Sequence, residues 1–158
     1  MTTTPMRHST LIHERVEQCR AGRNEKAICR ISSGWVVLGD VQFLRGYSLL
    51  LADPVVPSLN HLDKDARKAF LYEMSLIGDV LLEITGARLI NYELLGNMEF
   101  ALHAHLFPRF ENEPAELKHY PAWFYDKQVR AATPFDSQRD KPLMDAIRSA
   151  LDARELVC

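Results

Sequence analysis

Apolar and polar residues are grouped in "KAICRIS", "WVVLGD" and "YSLLLAD" as short strand-like runs, and the pattern predicts three strands. The turn at Ser32 to Gly34 and the approach to Gly46 divide them, so antiparallel neighbours are expected. The period then changes. In "DKDARKAFLYEMSLIGDVLLEITG", Phe70, Met74, Ile77, Leu81 and Ile84 recur at steps of four and three, which predicts a long helix with one face on a sheet. Asp63 is its expected cap and Gly86 its stop.

Shorter patterns complete the chain. "STLIHERVEQCRAG" predicts a helix capped by Ser9 or Thr10 and stopped at Gly22. "RLINYELLGN" and "ALHAHLF" predict two more strands, bounded by Gly96-Asn97 and Pro108. A loop carrying Trp123 leads to a last helix, "KPLMDAIRSALDARELV", with Asp140 as cap and Pro142 in its first turn. Three strands, a long helix, two strands and a helix make an α+β domain. No linker or repeat divides residues 1–158, so one domain is expected.

Composition narrows the function classes. With 19 basic and 21 acidic side chains the formal charge is −2, giving no global electrostatic case for nucleic acid or an anionic membrane. The start, "MTTTPMRHST", lacks the apolar core of a signal peptide, and no run is long enough to cross a bilayer, so a cytoplasmic protein is expected. Cys19, Cys29 and Cys158 form no CxxC pair and read as reduced thiols.

The chemistry concentrates in "ALHAHLFPR", residues 101–109. Strand alternation places Ala101, His103, His105 and Phe107 on one face and Leu102, Ala104 and Leu106 on the other, under the long helix. The two imidazoles then stand with Cβ atoms about 7 Å apart, close enough to act on one substrate. An HxH pair alone is a weak signal, because six histidines in random order give about 0.2 such pairs. His8, His13, His61 and His119 are isolated and read as solvated.

The surroundings decide. "INYELLGNMEFALHAHLFPRF" resembles the histidine triad nucleotide hydrolases and transferases, whose signature is His-φ-His-φ-His-φ-φ, often followed by Pro-Arg. Counting back from Pro108-Arg109, the triad positions fall on Ala101, His103 and His105, so the first histidine is replaced by alanine. The resemblance runs from about Ala27 to Arg109 and is closest to the bacterial branch similar to diadenosine polyphosphate hydrolases.

The resemblance implies a five-stranded, mainly antiparallel sheet, a homodimer and no cofactor. It implies that His103 attacks an α-phosphorus to form a nucleotidyl-histidine, with His105 as hydrogen-bond donor to phosphate or leaving group. It also assigns Asn97 to phosphate, Asn91 more loosely to phosphate or ribose, and Asp40 to the ribose hydroxyls. Residue chemistry leaves other roles open: Asp40 as a turn initiator, Asn97 as a turn residue, and Arg109 on phosphate or in an exposed ion pair. Trp123 covers a base or pins the tail.

Ala101 opens a second functional reading, a nucleotide-binding or sensing protein without useful turnover. The HxH pair leaves a third, a metal enzyme with Glu99, Glu111 or His119 as further ligand.

Overall fold

Residues 9–158 are described by a computed structural model, and their strands fall close to the apolar runs of the sequence. They are β1 (Ala27–Ile31), β2 (Gly34–Leu38), β3 (Ser48–Ala52), β4 (Leu89–Glu93) and β5 (His103–Arg109). All neighbours pair antiparallel in the order β1-β2-β3-β5-β4, one five-stranded sheet of the expected α+β class. The helices are α1 (Leu11–Arg20), α2 (Lys64–Thr85), α3 (Lys127–Ala131) and α4 (Lys141–Ala153). Among the described residues no helix is long and apolar enough to cross a membrane.

Each sheet face is buried, which strand alternation alone does not reveal. On one face Leu50, Leu102, Ala104 and Leu106 meet Phe70, Ile77 and Leu81 of α2 and Leu143, Ile147 and Leu151 of α4. On the other, Val37, Leu49, Leu51, Ala101 and Phe107 lie against Ile12 and Val16 of α1 and against Ala122 and Tyr125 of the tail. The second layer encloses the histidine face.

Local signals account for most boundaries. Asp63 accepts from Ala66 N–H to open α2, and left-handed Gly86 closes it. Thr10 caps α1, and His13 closes a reciprocal box by accepting the Thr10 N–H at 3.2 Å. His13 is therefore a half-buried capping residue rather than a solvated one. His8 lies outside the described residues.

Three boundaries correct the sequence reading. Strand β5 begins at His103 and runs through Pro108 to Arg109. β3 pairs with β5 only as far as Leu106, so Pro108 has one strand neighbour and its missing N–H is tolerated as at an edge. Asp140 precedes α4 without a side-chain capping bond; its carboxylate instead accepts from Asp136 N–H and Arg139. Finally α4 ends at Ala153, and Val157 bridges Ile31 on the sheet edge. Cys19 and Cys29 are buried free thiols, each pushed up to about 11 by burial, and Cys158 is exposed.

Candidate active site

His103 and His105 share the sheet face opposite α2, as alternation requires, with ring centroids 4.9 Å apart. His103 is 7% exposed, and its Nδ1 lies 2.7 Å from the carbonyl oxygen of Ala101. A carbonyl only accepts, so Nδ1 carries a proton, and the nitrogen left to present a lone pair is Nε2.

His105 is fixed by aromatic neighbours. Its Nδ1 is 2.6 Å from the Tyr47 hydroxyl, its ring stacks beside Phe107, and Trp123 meets it edge-on at 5.4 Å. Burial, then the neighbouring His103 and Arg15, lower its pKa to about 4, so the ring is neutral at pH 7. Burial, followed by the nearby Asp40 charge, pushes the Tyr47 phenol up, and it stays protonated.

A cleft of about 470 Å³ opens over this pair, walled by Leu95 to Glu99 on one side and by Trp123 and Arg130 on the other. A second hollow of about 490 Å³, reaching Ser58 and Phe100, shares Leu95, Gly96, Asn97 and His103 with it. Gly96 takes φ +65°, a left-handed conformation that turns the chain there and places Asn97 at the junction of both spaces. The Asn97 side chain is exposed and makes no hydrogen bond among the described residues, so it is available to a ligand.

The other anticipated residues are placed differently. Asp40 is ion-paired with Arg15 of α1 and, at 3.3 Å, with Lys26. Burial raises its pKa, but the two cations outweigh that and hold the carboxyl below its usual range. Arg109 and Asn91 stand outside the cleft, beyond Phe107 on the same face. Arg109 is 2% exposed, and every guanidinium N–H is used: on Glu113, on Asn91 Oδ1, and on the carbonyls of Leu117 and Tyr120. No donor remains for phosphate, and the ion pair is buried rather than exposed; Arg109 anchors the segment after β5. Asn91 spends its carbonyl oxygen on that anchor.

Sequence reasoning missed Tyr47, Arg15 and Arg130. Tyr47 precedes β3 and meets His105 only through a register that the sequence does not announce. Trp123 does pin the tail, donating to Glu93, but it also walls the cleft. Among the described residues no three His, Cys, Asp or Glu side chains converge on a metal-sized site, and neither Glu111 nor His119 joins the histidine pair.

No protein-family model and no curated protein sequence matches the chain. Solved structures do. A histidine triad protein from Marinobacter aquaeolei VT8 superposes with TM-score 0.71 at 18% identity, over 91% of this chain and 97% of that one. One from Sinorhizobium meliloti 1021 gives TM-score 0.69 at 23% identity, over 84% and 93%. A hypothetical histidine triad nucleotide-binding protein from Sulfolobus tokodaii strain 7 gives 0.69 at 14%, over 90% and 93%. These likenesses cover far more of the chain than the sequence motif does, and the chain thus has the fold of the histidine triad proteins.

Proposed function

We propose that this chain is a histidine triad nucleotidyl hydrolase or transferase, acting as a single domain and pairing as a homodimer in the cytoplasm. The observation that carries the reading is the Ala101 carbonyl on His103 Nδ1. It directs the nucleophilic nitrogen of a neutral imidazole, Nε2, away from the main chain, and it does so without any polar side chain at position 101.

In the first step the Nε2 lone pair bonds to an α-phosphorus, the bond from phosphorus to the leaving group breaks, and the leaving group keeps its electron pair. In the second, a water oxygen bonds to phosphorus, the N–P bond returns its pair to Nε2, and the water's proton passes to solvent. With the Tyr47 hydroxyl, 2.6 Å from His105 Nδ1, taken as the donor of that bond, His105 offers Nε2–H to a phosphate oxygen. Asn97 adds an amide donor at the cleft wall. Asp40, kept ionised by Arg15 and Lys26, has the acceptor form that ribose hydroxyls require. No step needs a metal.

The test is incubation with a dinucleoside polyphosphate and with adenosine 5′-phosphoramidate, followed by mass spectrometry of the protein. A nucleoside monophosphate adduct on His103, lost in His103→Ala, is expected. Nucleotide binding with neither adduct nor product would replace the enzyme reading with the sensor one.

A further inference from the structure

Among the described residues the cleft is lined by one permanent cation, and it forms no salt bridge. Of its polar lining, Asn97 is uncharged, His105 is neutral at pH 7, and the carboxylate of Glu99 accepts the Leu11 N–H at 2.9 Å and forms no salt bridge with Arg130 among the described residues. Arg130 alone among the cleft-lining residues carries a fixed positive charge, and it takes part in no salt bridge among the described residues. Arg15, Arg20 and Arg109 each face a carboxylate.

Its position is nevertheless fixed. Nε donates to the Tyr125 carbonyl at 3.1 Å, and the guanidinium carbon lies 5.4 Å from the centroid of the Trp123 ring. Trp123 in turn meets His105 edge-on, so the guanidinium stands one aromatic ring beyond the histidine pair. Both terminal amino groups are left without a protein acceptor among the described residues. A planar fork, oriented by stacking and by one hydrogen bond, is prepared for an anion with two oxygens to offer.

We propose that Arg130 is a specificity-determining residue that receives the negative charge of a second phosphoryl group, so that the cleft favours phosphoanhydrides over substrates with a neutral amine leaving group. The proposal rests on the nucleotidyl-transfer reading. As the P–O bond to the leaving phosphoryl group breaks, the electron pair stays on the departing oxygen, and the guanidinium neutralises it without giving up a proton. An amine leaving group, which takes a proton from solvent onto its nitrogen as the P–N bond breaks, departs uncharged, and for it the guanidinium is a spectator.

Two measurements on the full chain test this. The first compares kcat/KM for a dinucleoside polyphosphate and for adenosine 5′-phosphoramidate in the parent protein, Arg130→Gln and Arg130→Lys. Arg130→Gln is expected to lose about tenfold or more on the polyphosphate and less than about twofold on the phosphoramidate, with Arg130→Lys recovering part of the loss. Equal losses on both substrates, or none, overturn the proposal. The second measures binding of inorganic tripolyphosphate through Trp123 fluorescence, which needs no turnover. About tenfold weaker binding in Arg130→Gln at unchanged thermal stability supports an anion site; identical binding in the two proteins, or none in either, overturns it. A parent protein that turns over neither substrate ends the nucleotidyl-transfer reading, while the tripolyphosphate measurement still decides whether Arg130 binds phosphoryl anions.

Discussion

The carbonyl oxygen of Ala101 and Nδ1 of His103 stand 2.7 Å apart, which assigns the ring's proton to a main-chain acceptor. The missing first histidine of the triad pattern is therefore not what sets the tautomer of the second. Ala101 is itself 1% exposed within the apolar layer under α1 and the tail. Restoring the histidine is expected to overpack that layer, costing about 1–3 kcal/mol, without raising turnover. Denaturant unfolding and turnover of Ala101→His measure both, and a stable variant at least ten times faster would show that the imidazole was needed after all.

His105 should titrate near pH 4, against an ordinary value of 6.5, in an NMR titration of its ring. Between those values the unfolded chain binds the proton that the folded ring refuses. The stabilising contribution of the neutral ring is thus complete above about pH 6.5 and is lost progressively as the pH falls to about 4. His105→Gln should flatten that limb of the stability curve. A midpoint at the ordinary value would contradict the burial described for the ring.

Tyr47→Phe keeps the stacked ring but removes the hydroxyl held by His105. If the phenol positions His105, kcat should fall about 10–100-fold with KM little changed, the size seen when a partner that orients a functional histidine is removed. The His105 ring nitrogens should also change their NMR tautomer signature. An unaltered tautomer with full activity would remove Tyr47 from the mechanism.

Arg109 and Glu113 form a buried pair, their side chains 3% and 5% exposed. Tyr125 Oη and Phe110 N–H also donate to Glu113. Glu113→Ala leaves a buried guanidinium without its counterion and should cost about 3–5 kcal/mol in urea unfolding. A loss below about 1 kcal/mol, the range of exposed pairs, would show that Arg109 is not the anchor inferred from its bonds.

Much of this molecule is written locally. The i, i+3, i+4 stripe of α2, the Asp63 cap and the Gly86 stop depend on near neighbours, as does the opposition of His103 and His105 to Leu102, Ala104 and Leu106. Other roles depend on how loops fold and which segments meet, which no periodicity announces. Glu113 stands only four residues from Arg109, but the burial of the pair and the carbonyls of Leu117 and Tyr120 that complete it follow from the fold of the loop, because an exposed and a buried salt bridge have the same sequence. Tyr47 reaches His105 across two strands, and Arg130 reaches the cleft through a five-residue helix too short to show a period. The alternation rule gave the face of each histidine, but not that α1 and the tail would cover it.

That covering has a consequence for the order in which the protein can be assembled. All five strands and both histidines precede residue 110, yet one wall of the cleft is contributed by Trp123 and Arg130. A chain emerging from the ribosome completes its sheet before it possesses a cleft. Until the segment bearing those two residues has been synthesised and has docked, the histidine pair stands on an unfinished surface and the wall facing it does not exist. The cleft is thereby withheld from nascent and C-terminally clipped chains by topology alone.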